Sequence, residues 1–332
     1  MKNEIILLFI KCYIVGFVLL FTACSSSIDV VVDEEGYCET KHYIIVFGDI
    51  QMYTYGWAIK YYQSSIDWIQ RQVVNGVDIC AVLEVGDVTQ NNMERQWGAF
   101  RQTTETLAQK VPFFVCTGNH DYDWKGGGKI VDRQSTLIND YAHFPLSDES
   151  IVDYYDGTSL ENYIARIRIG NENIYLLVLE FGPREDVLDW AIKCVKEHPM
   201  DRFLLMTHEW LDSRGKRMVD GTYAEIQFEG YSSYSTPEQI WDKLVKDNDN
   251  IFCVLCGHEE NFSCFYETQN AFGRNVPQLL FNLQFLPNGG NGIVQIWQIE
   301  DSGRDFNICA YDTITDNWYL RDSTSYTVSI RY

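Results

Sequence analysis

The chain has 332 residues and a formal net charge of −21, with 46% hydrophobic and 14% aromatic residues. That apolar content supplies a large core and excludes an intrinsically disordered polypeptide. An acidic surface repels polyphosphate backbones, which excludes long nucleic acid as a partner and leaves open a small phosphate ester held by a metal.

The chain begins MKNEIILLFIKCYIVGFVLLFTACSSS, with Lys2 and Lys11 ahead of an uncharged apolar run from Cys12 to Ala23. That run has the length of a signal-peptide core and is short of the roughly 20 residues that span a bilayer. The string FTAC resembles a bacterial lipoprotein signal, in which the cysteine, here Cys24, is lipidated and becomes the new N-terminus. The resemblance implies a signal peptide over 1–23 and a lipidated linker over 24–40, and the organisation of the remaining chain reads as one domain over 41–332. The resemblance also implies a membrane partner through the lipid and a place in the bacterial cell envelope, facing the periplasm or the surface. A plain cleaved signal peptide or an uncleaved anchor is the alternative. Ser25-Ser26-Ser27 and Asp33-Glu34-Glu35 suit a tether. Most cysteines after Cys24 lie in apolar strings such as DICAVLEVG and IFCVLCGH, as buried thiols do. Cys253 and Cys256 fall on a strand rather than at a helix start, which argues against a redox pair.

From residue 42 the chain alternates apolar runs with amphipathic ones. HYIIVFGD (42–49) reads as a buried strand, and GWAIKYYQSSIDWIQRQVVNG (56–76) as a helix with Ala58, Tyr62, Ile66, Ile69 and Val73 on one face. Strands are expected at 78–87, 111–119, 173–181, 201–208 and 250–258, and helices at 96–110, 184–198 and 236–247. Continuous apolar strands separated by helices imply a sheet covered on both faces, hence an α/β fold. Beyond about 262, QLLFNLQFL, NGIVQIWQIE, FNICAYD and SYTVSIRY have no helix between them and are expected to add antiparallel strands. The stretch 122–172 is expected to form a lid or cap.

Five of these strands end in residues able to bind a metal: Gly48-Asp49-Ile50-Gln51, Gly86-Asp87, Gly118-Asn119-His120-Asp121, Thr207-His208 and Gly257-His258-Glu259-Glu260. In an open α/β sheet the carboxyl ends of the strands gather around one crevice, where ligands bind. The arrangement predicts carboxylates, imidazoles and an amide around one or two cations. Singly, each residue has a plainer explanation: Asp49 and Asp87 as turn formers or caps, His208 and His258 as hydrogen-bonded histidines.

The order of these endings resembles the calcineurin-like metallophosphoesterase family, with its D-x-H, GD, GNH[DE], lone His and GHxH motifs. The resemblance implies central β-sheets flanked by helices in a four-layer α/β/β/α sandwich. It implies one metal held by Asp87, Asn119, His208 and His258. A second would be held by Asp49, Gln51, Asp87 and Glu260, with Gln51 and Glu260 standing where the family has histidines. The oxygen-rich second site is either retuned to a harder cation or reduced to polar lining. Mn, Fe, Zn or Mg are the divalent ions implied.

The activity implied is hydrolysis of phosphomonoesters or phosphodiesters by a metal-bound hydroxide, with His120 protonating the leaving oxygen and Asp121 orienting it. The alternative is a one-metal or metal-free relative that binds a glycan or a protein partner. Lys125 and Lys129, in the loop DWKGGGK, are candidate phosphate contacts. The aromatics Tyr53, Tyr55, Tyr122, Trp124, Trp210, Tyr231 and Tyr234 follow site-bearing strands. They serve either a substrate's organic group or ordinary packing.

Overall fold

A computed structural model of the chain describes residues 41–260, 263–300, 302–319 and 325–329. The expected signal peptide, Cys24 and the linker lie outside the described residues. Among the described residues no helix is long and apolar enough to cross a membrane.

Among the described residues, sixteen strands follow in chain order. They are β1 (His42–Phe47), β2 (Asp78–Glu84), β3 (Phe113–Val115), β4 (Asp123–Lys125), β5 (Ile130–Asp132), β6 (Ile151–Tyr154), β7 (Tyr163–Ile169) and β8 (Glu172–Val178). Then come β9 (Phe203–Met206), β10 (Ile251–Cys256), β11 (Ser263–Gln269), β12 (Asn275–Phe281), β13 (Ile293–Ile299), β14 (Asp305–Asp312), β15 (Asn317–Trp318) and β16 (Ser325–Ser329). One sheet has the order β15-β14-β13-β1-β2-β3 with β16 also on β14; the other runs β11-β12-β10-β9-β8-β7-β6. Strands β1, β2 and β3 are mutually parallel, as are β8, β9, β10 and β12. Each sheet thus has a parallel centre and antiparallel edges.

Alternation along the strands explains the layers. In β8, Ile174, Leu176 and Val178 join the core between the sheets, while Leu177 faces the helix Glu185–Glu197. The helices Ile59–Val74 and Glu94–Ala108 cover the outer face of the first sheet, where Tyr62 meets Phe47 and Trp68 meets Tyr311. Helix, sheet, sheet, helix is the four-layer α/β architecture expected.

Three local differences have physical causes. Strand pairing stops at Phe47, Glu84, Val115, Met206 and Cys256, two to four residues before Asp49, Asp87, Asn119, His208 and His258. The backbone has to leave the ladder before it can turn its polar ends toward the crevice. The tail is antiparallel in β13, β14, β15 and β16, but β12 joins β10 in parallel. The stretch 122–172 is only partly a cap. Its second half forms β6 and β7 of the second sheet, and the β4–β5 hairpin alone stands apart. Arg133 pins that hairpin by donating to the Phe181 and Gly182 carbonyls and pairing with buried Glu180 at 3.1 Å.

The seven described cysteines are free, and Cys116, Cys194, Cys253 and Cys256 are buried. Cys253 and Cys256 both lie on β10.

Phe113 sits at the junction of β3 with its covering helices, its ring packed on Phe47, Phe100 and Phe144. Phe113→Ala is expected to cost about 3–5 kcal/mol of folding stability. Urea unfolding checks this, and a loss under about 1 kcal/mol would show that the site collapses around the smaller side chain.

Candidate metal centre

The carboxyl ends of both parallel sets open on the same crevice. Asp49 follows β1, Asp87 follows β2, the turn Asn119–Asp121 follows β3, His208 follows β9 and His258 follows β10. Asp49, Asp87, Asn119, Asp121 and His208 are buried, and His120 and His258 are partly exposed.

Asp87 stands at the centre. Its Oδ1 accepts the backbone N–H of His120 at 3.0 Å and lies 3.3 Å from His208 Nε2. Its Oδ2 accepts from Gln51 Nε2 at 3.0 Å. His208 Nδ1 donates to the Val85 carbonyl at 2.8 Å, which fixes the ring and leaves Nε2 facing Asp87. His258 Nδ1 lies 3.2 Å from His208 Nε2.

Close approach around Asp87 explains two of the glycines. Gly86 has φ +104°, and a Cβ there would strike His208 Nδ1 and the Gly118 nitrogen. A Cβ on Gly118 would overlap the Asp87 carboxylate.

The donor set fits a divalent cation. Asp87, His208 and His258 offer ligand atoms within 4.8 Å of one another. Among the described residues, buried Asn119 Oδ1 and His258 Nε2 have no hydrogen-bond partner, and an unpartnered buried amide oxygen is a costly state that a cation would relieve. One carboxylate oxygen, two imidazole nitrogens and an amide oxygen suit a first-row divalent metal.

His120 Nδ1 donates to the Gln90 carbonyl at 2.9 Å, which leaves Nε2 for chemistry, and its ring packs against Trp124. The role expected of Asp121, orienting His120, is corrected here. Its carboxylate is filled by the N–H groups of Gly118, Val88 and Thr89 and by the Thr89 hydroxyl. Asp121 therefore ties the loop after β2 to the loop after β3, and Gln90 orients the imidazole.

Glu260 is a second correction. The chain turns at His258 with φ +75° and carries Glu260 out to an exposed rim. Lys125 pairs with Asp132 at 2.7 Å and is not aimed at the crevice. Among the aromatics singled out, Tyr53, Tyr122 and Trp210 are core, whereas Trp124 and Tyr231 reach the surface.

Two functional residues escaped the sequence reading. Asn282 and Gln284 follow β12, and both donate to Asp49 Oδ2, at 2.8 and 2.9 Å. The signal was present as an apolar run, PQLLF, ending in polar residues two apart.

Burial drives the Asp49 carboxyl up to about 8. Burial also opposes charge on Asp87 and His208, but the two outweigh it for each other. The His208 imidazole holds Asp87 well below the usual carboxylate range, and Asp87 with Asp49 lifts His208 to about 10. His258 moves the other way, to about 3, under burial and the neighbouring His208.

The comparisons accord with this geometry. The family model described as calcineurin-like phosphoesterase matches residues 42–262, and the chain belongs to that family. The uncharacterized protein YvnB of Bacillus subtilis (strain 168) is 26% identical over 87% of this chain and 22% of its own length. Probable inactive purple acid phosphatase 24 of Arabidopsis thaliana is 30% identical over 28% of this chain and 16% of its own length. The chain therefore spans about a fifth, or less, of the length of these relatives. Among solved structures, purple acid phosphatase PPD1 from yellow lupin matches with a TM-score of 0.53 and 14% identity. The match covers 89% of this chain and 55% of that one and shows the shared fold.

The upward shifts of Asp49 and His208 give a proton count. Between pH about 8 and about 10 the metal-free protein has Asp49 ionised and His208 protonated. A metal that takes the His208 imidazole must expel its proton. Calorimetry in buffers of different ionisation enthalpy is expected to find about one proton released per ion bound in that window. Binding without proton release would remove His208 from the ligand set.

Proposed function

We propose that the chain is a metal-dependent hydrolase of small phosphate esters, either monoesters or diesters. The observation that carries this reading is the grouping of ligand atoms from Asp87, His208 and His258, next to an unpartnered Asn119 amide oxygen and an oriented imidazole from His120. A divalent ion, when bound, supplies a Lewis acid that polarises the phosphoryl oxygen. The chain's own residues do the rest. Asp87, Asn119, His208 and His258 hold the ion. The Asp87 contact to the His120 backbone sets the imidazole beside it. His120 Nε2 then gives a proton to the departing oxygen, a step that contributes about 10²–10⁴-fold in general acid catalysis. Trp124 beside His120 and Tyr223 against His258, at 4.5 Å between ring centroids, offer apolar walls for the organic part of a substrate.

The plant relatives' names, which call them probable inactive phosphatases, favour a second reading: an envelope protein that binds a glycan or protein partner without turnover. Hydrolysis of mono- and bis-nitrophenyl phosphate with Mn²⁺, Mg²⁺ and Zn²⁺ separates the two. His120→Ala is expected to keep its metal and lose about 10²–10⁴-fold in turnover. Wild-type rates in that variant would refute the catalytic assignment, and no turnover by the wild type with any ion would favour the second reading.

We also infer, from FTAC and the apolar run before it, that the chain is an exported lipoprotein anchored in the cell envelope through Cys24. Cys24→Ala is expected to move the protein from the membrane fraction to the soluble fraction. Unchanged membrane association would exclude the lipid as its anchor.

A further inference from the structure

We propose that this centre holds a single metal ion, and that side-chain amides stand where a second cation would bridge Asp49 and Asp87. The inference rests on the metal reading of Asp87, Asn119, His208 and His258 and says what lies beside it.

The two carboxylates are already joined. Gln51 Nε2 donates to Asp87 Oδ2 at 3.0 Å and sits 2.8 Å from Gln284 Oε1. Gln284 Nε2 donates to Asp49 Oδ2 at 2.9 Å, where Asn282 Nδ2 also donates at 2.8 Å. The other Asp49 oxygen accepts the His258 backbone N–H at 3.0 Å.

A continuous path therefore runs from carboxylate to amide to amide to carboxylate. Its direction is set from the Asp87 end: that ionised carboxylate only accepts, so Gln51 turns its NH₂ to it, Gln284 must offer Gln51 its oxygen, and the Gln284 NH₂ is left for Asp49. The Oδ2 atoms of Asp49 and Asp87 thus already accept N–H donors, which do not coordinate cations.

Among the described residues, Gln51 Oε1 is a further oxygen there, buried and without a partner. Turning that amide over would set its oxygen against both Asp87 Oδ2 and Gln284 Oε1 and break the path. Glu260, which the family pattern would supply as the remaining ligand, is exposed on the rim. The ligands expected of a second site are thus either committed to amides or outside the crevice, while those of the first keep two orphaned donor atoms. The amides satisfy the paired carboxylates without a second ion, and Gln284 is the link because its side chain bonds both Gln51 and Asp49.

Metal counting tests this on the protein loaded with excess Mn²⁺ and then desalted. Elemental analysis is expected to find about one ion per chain, and electron paramagnetic resonance to show an isolated Mn²⁺ with no exchange-coupled pattern. Gln51→Glu and Gln51→His each replace the central donor with a ligand and are expected to raise the content to about two ions and bring in the coupled pattern. Thermal melts confirm that the variants fold, and the wild-type spectrum decides the matter if they do not. Two coupled ions in the wild type would overturn the proposal while leaving the hydrolase reading intact. A folded variant that stays at one ion would show that the amides are not what excludes the second. No metal in the wild type would remove the centre itself and both readings with it.

Discussion

A carboxylate buried at the junction of two sheets is the constraint on which the crevice depends. Asp87 is 1% exposed, and taking an ionised carboxyl out of water costs several kcal/mol unless charges or hydrogen bonds offset it. The elements that meet there supply the offset from separate directions. The loop after β3 brings the His120 N–H, the end of β9 brings an imidazole, and the turn after β1 brings the Gln51 amide. Parallel strands whose carboxyl ends converge are what allow segments so far apart in sequence to reach one atom pair.

That demand also accounts for the backbone at the site. Asp87 and His258 adopt left-handed φ values of 54° and 75°, which cost about 1–3 kcal/mol each in residues other than glycine. The strain persists because it turns the two side chains inward from chains that have just left their sheets. Asp121 supports the same geometry from below, its carboxylate gathering donors from Gly118, Val88 and Thr89. Burial and the neighbouring Asp87 raise that carboxyl to about 7, and three backbone donors pull against them. Its position is structural, and it ties the loop bearing His120 to the loop bearing Asp87.

Much of this was legible in the sequence, for a definite reason. Strands buried on both faces are continuous in hydrophobicity, so a polar cluster at the end of such a run marks a sheet's carboxyl edge. Asp49, Asp87, Asn119, His208 and His258 were found in that way. Asn282 and Gln284 were missed because β12 looks like a tail strand until its parallel pairing with β10 is known, and pairing partners are not written in a single strand's pattern. The orienting partner of His120 was missed because it is the backbone carbonyl of Gln90, and carbonyls carry no side-chain signature. Glu260 was chosen by its place in a motif. Motif spacing does not register a left-handed turn at His258, which sends the next residues to the rim.

The missed amides change what the replacement of a family histidine at position 51 means. Considered alone, a glutamine there is a weaker ligand at a weakened site. Beside Gln284 and Asn282 it belongs to a set in which each member needs the others. Gln51 needs the Gln284 oxygen to hold its NH₂ against Asp87, and Gln284 needs Asp49 to hold its own NH₂ in place. Asn282 fixes both ends of that contact by bonding Asp49 and, through its oxygen, the Gln284 backbone N–H. The crevice is thereby divided. On one side Asp87 faces imidazoles and an unpartnered amide oxygen, which is an environment for a cation. On the other, the described hydrogen-bond partners of Asp49 are N–H donors, which satisfy its oxygens without a cation. A neutral histidine ring at position 51 has a single N–H and so cannot donate to both Asp87 and Gln284, as the two hydrogens of the Gln51 amide do. The glutamine is therefore a structural requirement of the neighbouring side chains, and the difference between the two halves follows from hydrogen-bond direction alone.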